Sequence, residues 1–166
     1  MNSFKIREIQ PKDNQGVAAV IRIVLVEMGV PKVGTAYEDK SLEDMHGNYE
    51  HPRMKYFVVE ENGKLIGSAG IAPLTGADES ICELQKMYFL PEARGRGIGS
   101  EMMQTCLNYA KYVGFKQCYL ETLPYMENAR KLYARTGFKS LEKPMGDTGH
   151  YNCSMWMLKE LNSIEI

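Results

Sequence analysis

Hydrophobic and polar positions alternate at the start of the chain and then change to a helical spacing. Phe4 and Ile6 alternate with polar neighbours across Phe4–Ile9, which predicts a short first strand. Val17, Val20, Ile21, Val24, Leu25 and Met28 then recur every three or four residues, as one buried helix face does. Asp13 is placed to cap that helix and Gly29 to stop it. Val30–Ala36 reads as a loop and Ser41–Tyr49 as a second short helix.

Tyr56–Glu60 and Lys64–Ile71 flank Asn62-Gly63, the strongest short signal for a β-hairpin. Ile81–Leu90 gives a further strand, which runs into Pro91 and a cluster of glycines. Beyond it, Ile98, Met102, Met103, Cys106, Leu107, Ala110 and Val113 mark a long amphipathic helix ending near Gly114. Gln117–Leu123 reads as a strand and Glu127–Thr136 as a helix closed by Gly137. Phe138–Leu141 and Tyr151–Leu158 complete the pattern as strands. The order is β-α-α-β-β-β-α-β-α-β-β. Antiparallel neighbours precede one βαβ unit over Ile81–Leu123, whose strands run parallel by the crossover rule. The expectation is an α+β fold, a mixed and mostly antiparallel sheet with flanking helices. With no repeat or linker in view, residues 1–166 read as a single domain.

Composition narrows the function classes. A net charge of −1 gives no bulk attraction to nucleic acid or an anionic membrane, so neither is an expected partner. Cys82, Cys106, Cys118 and Cys153 form no CxxC and have no zinc-finger spacing to a histidine, so no metal is expected. They read as free core thiols of a reducing cytoplasm. The opening MNSFKIREIQPKDN has no apolar leader core, and no run is long enough for a bilayer. A cytoplasmic protein is the expectation.

The segment Arg94-Gly-Arg-Gly-Ile-Gly-Ser100 lies between a strand and the first turn of a helix. A helix N-terminus offers unpaired N–H groups and the positive end of the dipole, which suits an anion. Glycines let the backbone close on a phosphate, and Arg94 and Arg96 add charge. A P-loop is excluded because no Lys-Ser or Lys-Thr follows the last glycine. The dinucleotide fingerprint GxGxxG comes closer through Gly95 and Gly97, with Glu121 downstream for a ribose contact. Ser100, however, stands where its third glycine belongs, and a hairpin precedes the strand. The third pattern, (Arg/Gln)-x-x-Gly-x-(Gly/Ala), is met by Arg94, Gly97 and Gly99.

With ELQKMYFLPEARGRGIGSEMM before and ENARKLYARTGF after, the chain resembles the GNAT superfamily of acetyl-CoA-dependent N-acetyltransferases. The resemblance extends over nearly the whole chain in element order. It implies that amides of Gly95, Arg96, Gly97, Gly99 and Ser100 hold the CoA pyrophosphate. It also implies that the strand before the turn splays from its parallel neighbour, with pantetheine paired to Met87 and Phe89 in the gap. The Met87 amide then meets the thioester carbonyl, where a donor stabilises the oxyanion. Asn128 matches a position that bonds the pantetheine arm, with a helix N-cap as its competing role.

Acetyl transfer to an ammonium needs a base and, for the departing thiolate, an acid. Glu83 is the base candidate, sharing a face with Gln85 and Met87 in a regular strand; a bulge would change that facing. Its plainer role is a solvated or substrate-facing charge. Tyr133 matches the family's general acid, though a tyrosine on an apolar helix face is ordinarily core. The resemblance places the acceptor pocket in Met28–Leu42 and Lys143–His150. There Tyr37, Glu38 and Asp39 are candidates to attract a cationic amine, against the commoner role of solvated loop charges. Gln85 and His150 are further substrate candidates, while Tyr125, Met126 and Trp156 read as core. The leading expectation is acetyl transfer from acetyl-CoA to the primary amine of a small molecule. A protein N-terminal or lysine acetyltransferase and a CoA-binding sensor without turnover are the alternatives. Homodimers are common in the family, so a homodimer is a further expectation.

Overall fold

The computed structural model describes residues 3–124 and 126–161. One seven-stranded sheet runs in the order β1-β2-β3-β4-β5-β7-β6. Its strands are β1 (Phe4–Glu8), β2 (Lys55–Glu61), β3 (Lys64–Pro73), β4 (Ile81–Phe89), β5 (Gln117–Thr122), β6 (Lys139–Leu141) and β7 (Met155–Glu160). The helices are α1 (Asn14–Glu27), α2 (Met45–Asn48), α3 (Ile98–Tyr112) and α4 (Glu127–Thr136). Every neighbouring pair is antiparallel except β4 and β5, the two strands of the βαβ unit. The α+β expectation holds. Among the described residues no helix is long and apolar enough to cross a membrane.

Alternation along the strands builds two large apolar clusters and a smaller third around Leu74, Ile81 and Tyr119. Phe57, Val59, Ile71 and Leu84 pack with Met102, Met103 and Cys106 of α3. Tyr56, Val58 and Ala72 pack with Val17, Ile21 and Leu25 of α1 and with Met45 of α2. The β2–β3 turn puts Asn62 at φ +52° and Gly63 at φ +79°. Two successive positive φ angles give the twist that lets a hairpin close in two residues.

Three local expectations are corrected. Asp13 precedes α1 by position, but its side chain makes no cap bond to that helix. Its carboxylate accepts from the Gln10 amide at 2.7 Å and from both terminal nitrogens of Arg7, which outcompete the helix. The second helix breaks at Asp44 (φ −149°), leaving a 3-10 turn over Lys40–Glu43 and one α-turn, α2. Asp44 caps α2 through the Gly47 amide. Finally, β7 begins at Met155, because the residues before it are bonded elsewhere. The Asn152 amide donates to the Gly34 carbonyl at 3.0 Å, and its side chain to the Val33 carbonyl.

Two irregularities of β4 shape everything that follows. It pairs with β5 only at Ile81, Cys82 and Glu83, and from Leu84 onward the strands diverge. Its register against β3 also shifts between Ser68 and Gly70, where Lys86 takes a left-handed φ of +49°. The buried Tyr56 hydroxyl donates to the Lys86 carbonyl at 2.7 Å and holds this bulge. The extra residue reverses the alternation. Met87 therefore packs in the α3 cluster with Leu84, and the expected shared face of Glu83, Gln85 and Met87 does not form.

Candidate active site

The glycine turn is local enough for sequence to dictate its shape. Gly95 (φ +72°) and Gly97 (φ +78°) occupy the left-handed region, and a Cβ at either would meet no atom within 4 Å. Gly97 also stands at the N-cap of α3. The Arg94 amide donates to Pro91 and the Glu101 amide to Gly97. Between them, the amides from Gly95 to Ser100 find no acceptor among the described residues. This is a nest of free donors at the positive end of a helix of 15 residues, suited to a phosphate. The side chains of Arg94 and Arg96 are less available. Arg94 binds Glu27 and the Phe89 carbonyl, whereas Arg96 binds Glu61 and the Glu92 carbonyl and lies off the cleft wall.

From that nest a cleft of about 660 Å³ runs along the divergence of β4 from β5. Met87, Tyr88 and Phe89 form one wall, and Asn128, Leu132 and Tyr133 of α4 the other. Asn128 is exposed and is not the N-cap, which is Met126. Tyr133 is buried, and its hydroxyl makes no hydrogen bond among the described residues. Burial lifts that hydroxyl to a pKa of about 12, so it stays protonated at neutral pH. The shape, the free amides and the open space above Gly95 and Gly97 fit an extended ligand with a diphosphate.

A second, smaller chamber of about 120 Å³ opens where β4 and β5 part. Tyr88 and Met126 line both spaces, so the two lie next to each other on either side of these side chains. Glu83, 6% exposed, faces the chamber, and burial raises its carboxyl to a pKa of about 7. Gln85 donates to it at 2.7 Å, favouring the ionised form, while the nearby charge of Glu121 opposes ionisation. Gln85 is itself oriented by the Tyr49 hydroxyl at 2.5 Å. Opposite, Asp39 is clasped by Lys86 at 2.9 Å and by His150 at 2.8 Å. Burial is the largest influence on His150 and works against its protonation, but the bond to Asp39 and the charges of Asp39 and Glu83 together outweigh it and raise the imidazole above its ordinary value.

The structure thus gathers Glu83, Gln85 and His150 around one chamber. Tyr37 lies outside its lining and packs against Arg22 and Lys32, and Glu38 accepts from the Gly34 amide. Asp39 is a chamber wall and not a solvated loop charge. Glu121 sits there too, bonded by the Tyr119 and Thr148 hydroxyls. Met126 is wall as well as core, Trp156 packs beside Ile81 and Tyr119, and Tyr125 lies outside the described residues. Cys82, Cys106 and Cys118 are core thiols, but Cys153 lines the chamber. Ligating atoms of Glu121, His150 and Cys153 lie within 4.8 Å of one another. Burial raises the Cys153 thiol to about 12, and both Glu121 oxygens already accept hydroxyls. Sequence reasoning missed Lys86 and Tyr88, which carry no local motif.

Comparison with known proteins agrees with this geometry. Residues 20–138 match the acetyltransferase (GNAT) family model. The chain is 41% identical over 157 residues to YjgM of Escherichia coli K12, described as an uncharacterized N-acetyltransferase, covering 94% of each chain. It superposes on a GNAT-family acetyltransferase of Staphylococcus aureus Mu50 with a TM-score of 0.80 at 18% identity, covering 96% of this chain and 99% of that one. The PaiA N-acetyltransferase of Thermoplasma acidophilum, solved with coenzyme A, gives a TM-score of 0.75 at 17% identity over 96% and 99% of the two chains. With nest, splayed strands and family pattern in agreement, the chain belongs to the GNAT family of acetyl-CoA-dependent N-acetyltransferases.

Proposed function

We propose that this protein moves an acetyl group from acetyl-CoA to the primary amine of a small molecule by direct attack in a ternary complex. The observation that carries the reading is the adjacency of cleft and chamber, which share Tyr88 and Met126 as lining. Acetyl-CoA, when bound, supplies the acetyl thioester. The amides from Gly95 to Ser100 grip its pyrophosphate, and Met87, Phe89 and Asn128 flank the pantetheine arm. The Met87 amide donates to the thioester carbonyl and favours the oxyanion. Glu83 takes a proton from the incoming ammonium, freeing the nitrogen lone pair. The nitrogen–carbon bond forms as the carbon–sulfur bond breaks, and Tyr133 donates a proton to the departing sulfur. Of the two protons the ammonium loses, one leaves through Glu83 to solvent and the other balances the one placed on sulfur.

A chamber of about 120 Å³ favours a small acceptor over a folded protein surface. The test is thiol release from acetyl-CoA across a panel of small amines, beside the melting temperature with acetyl-CoA and with NAD. Acetyl-CoA alone raises the melting temperature, and at least one small amine drives thiol release. No stabilisation by acetyl-CoA would remove the assignment.

A further inference from the structure

Both signs of charge face the chamber, and intramolecular partners leave part of each unspent. Lys86 provides one pole. The left-handed bulge puts its side chain on the chamber side, and that side chain is only 9% exposed. A lysine in the left-handed region costs about 1–2 kcal/mol relative to a regular strand. The bulge is nonetheless kept, fixed by the Tyr56 hydroxyl. An ammonium has three N–H donors, and Asp39 takes one at 2.9 Å. Among the described residues no other acceptor meets Lys86 Nζ. His150 bonds the same carboxylate through Nε2, which leaves Nδ1 unpartnered among the described residues. Two cationic groups thus share one anion.

The opposite pole is anionic. Glu83 spends one oxygen on Gln85, and its Oε2 accepts nothing among the described residues. Glu121 accepts two hydroxyls and has no salt bridge among the described residues, although a His150 ring nitrogen lies within 4.8 Å of its carboxylate. A chamber of about 120 Å³ admits only a small occupant. That occupant needs an ammonium for one end and an anion for the other.

Resting on the transfer reading above, we infer that the acceptor is a small zwitterionic amino acid, its ammonium toward Glu83 and Glu121 and its carboxylate toward Lys86 and His150. A simple alkylamine leaves the Lys86 and His150 donors unsatisfied. The lysine side chain of a protein, or an N-terminus other than Asp or Glu, brings no free carboxylate beside its amine. Selectivity then comes from the unpaired donors that a wrong acceptor strands in a buried place.

The experiment measures kcat/KM for thiol release from acetyl-CoA with small α-amino acids and β-alanine, each beside its carboxamide. The free acids exceed their amides by at least about tenfold, the worth of one charge-assisted hydrogen bond. Lys86→Met lowers that acid-to-amide ratio about tenfold, whereas Lys86→Arg keeps most of it. His150→Gln lowers the ratio as well. A purely structural role for Lys86 would slow acids and amides alike and leave the ratio unchanged, which overturns the inference. Amides or alkylamines as good as acids in the unaltered protein also overturn it while leaving acetyl transfer intact. Thiol release from no compound, although acetyl-CoA still stabilises the fold, sinks this inference and the transfer reading together. Each variant is checked for stabilisation by acetyl-CoA, which reports an intact cleft.

Discussion

The side-chain amide of Gln85 donates to the carboxylate of Glu83 at 2.7 Å, two residues back along the same strand. Burial is the larger influence on that carboxyl, and the balance leaves it half-ionised at a pKa of about 7. Gln85, Glu121, Lys86 and His150 are the polar groups that act on it. A base so placed makes kcat/KM rise as pH passes through about 7, well before a free amine of pKa about 10.4 titrates. Glu83→Gln should remove this lower rise and cost about 100-fold in kcat at neutral pH. A surviving rise near pH 7 in the variant, measured by thiol release, excludes Glu83 as the base.

The same carboxyl links stability to pH. Its pKa in the fold, about 7, exceeds the ordinary 4.5, so the folded state prefers the protonated form. Its contribution is complete below pH 4.5 and disappears as pH rises through about 7. At 1.36 kcal/mol per unit, the loss amounts to about 3 kcal/mol between pH 4 and pH 8. Glu83→Gln cannot ionise and escapes it. Denaturant melts should therefore show the variant gaining on the parent protein from pH 5 to pH 8. The raised His150 contributes with the same sign and is present in both proteins, so only its coupling to Glu83 enters the difference. A difference that stays flat across this range contradicts a buried, neutral Glu83.

Tyr133 tests the other half of the proton path. Its ring packs edge-on against Phe138 with centroids 6.1 Å apart, so removing the hydroxyl leaves that packing in place. Burial keeps the phenol protonated, which is what a donor to the departing sulfur needs. Tyr133→Phe should lower kcat about 100-fold and shift the Kd for CoA by less than about threefold. A turnover number within a factor of two of the parent's shows that Tyr133 acts only as a cleft wall.

How much of this is legible in the sequence depends on the range of the interaction. The hairpin at Asn62-Gly63, the strand-turn-helix around Gly97 and the helix stop at Gly137 are short-range, and residue type fixes them through positive φ. The bulge at Lys86 has no such signature, because lysine has no preference for φ +49° and the Tyr56 hydroxyl that holds it comes from another strand. Counting alternate residues therefore grouped Met87 with Glu83, and the register shift between Ser68 and Gly70 separates them. The chamber is harder still. Asp39, Glu83, Glu121 and His150 come from four separate segments of the chain, and nothing local to any of them shows that they line one chamber. Asp39 becomes part of the site only because Lys86 and His150 reach it.

Gly97 offers the most direct test of the phosphate nest. At φ +78° an alanine costs about 1 kcal/mol of backbone strain, a few degrees in Tm for a chain of this size. The added methyl meets no protein atom within 4 Å, so packing adds nothing to that cost. The strain would instead turn the first turn of α3, with its free amides, away from its present aim. Gly97→Ala should consequently weaken CoA binding at least about tenfold, with only a modest change in melting temperature without ligand. Calorimetric titration with CoA and with pantetheine, which carries no phosphate, separates the causes. If the nest grips the diphosphate, the loss falls on CoA and spares pantetheine. Equal losses for both ligands would place the grip elsewhere along the cleft.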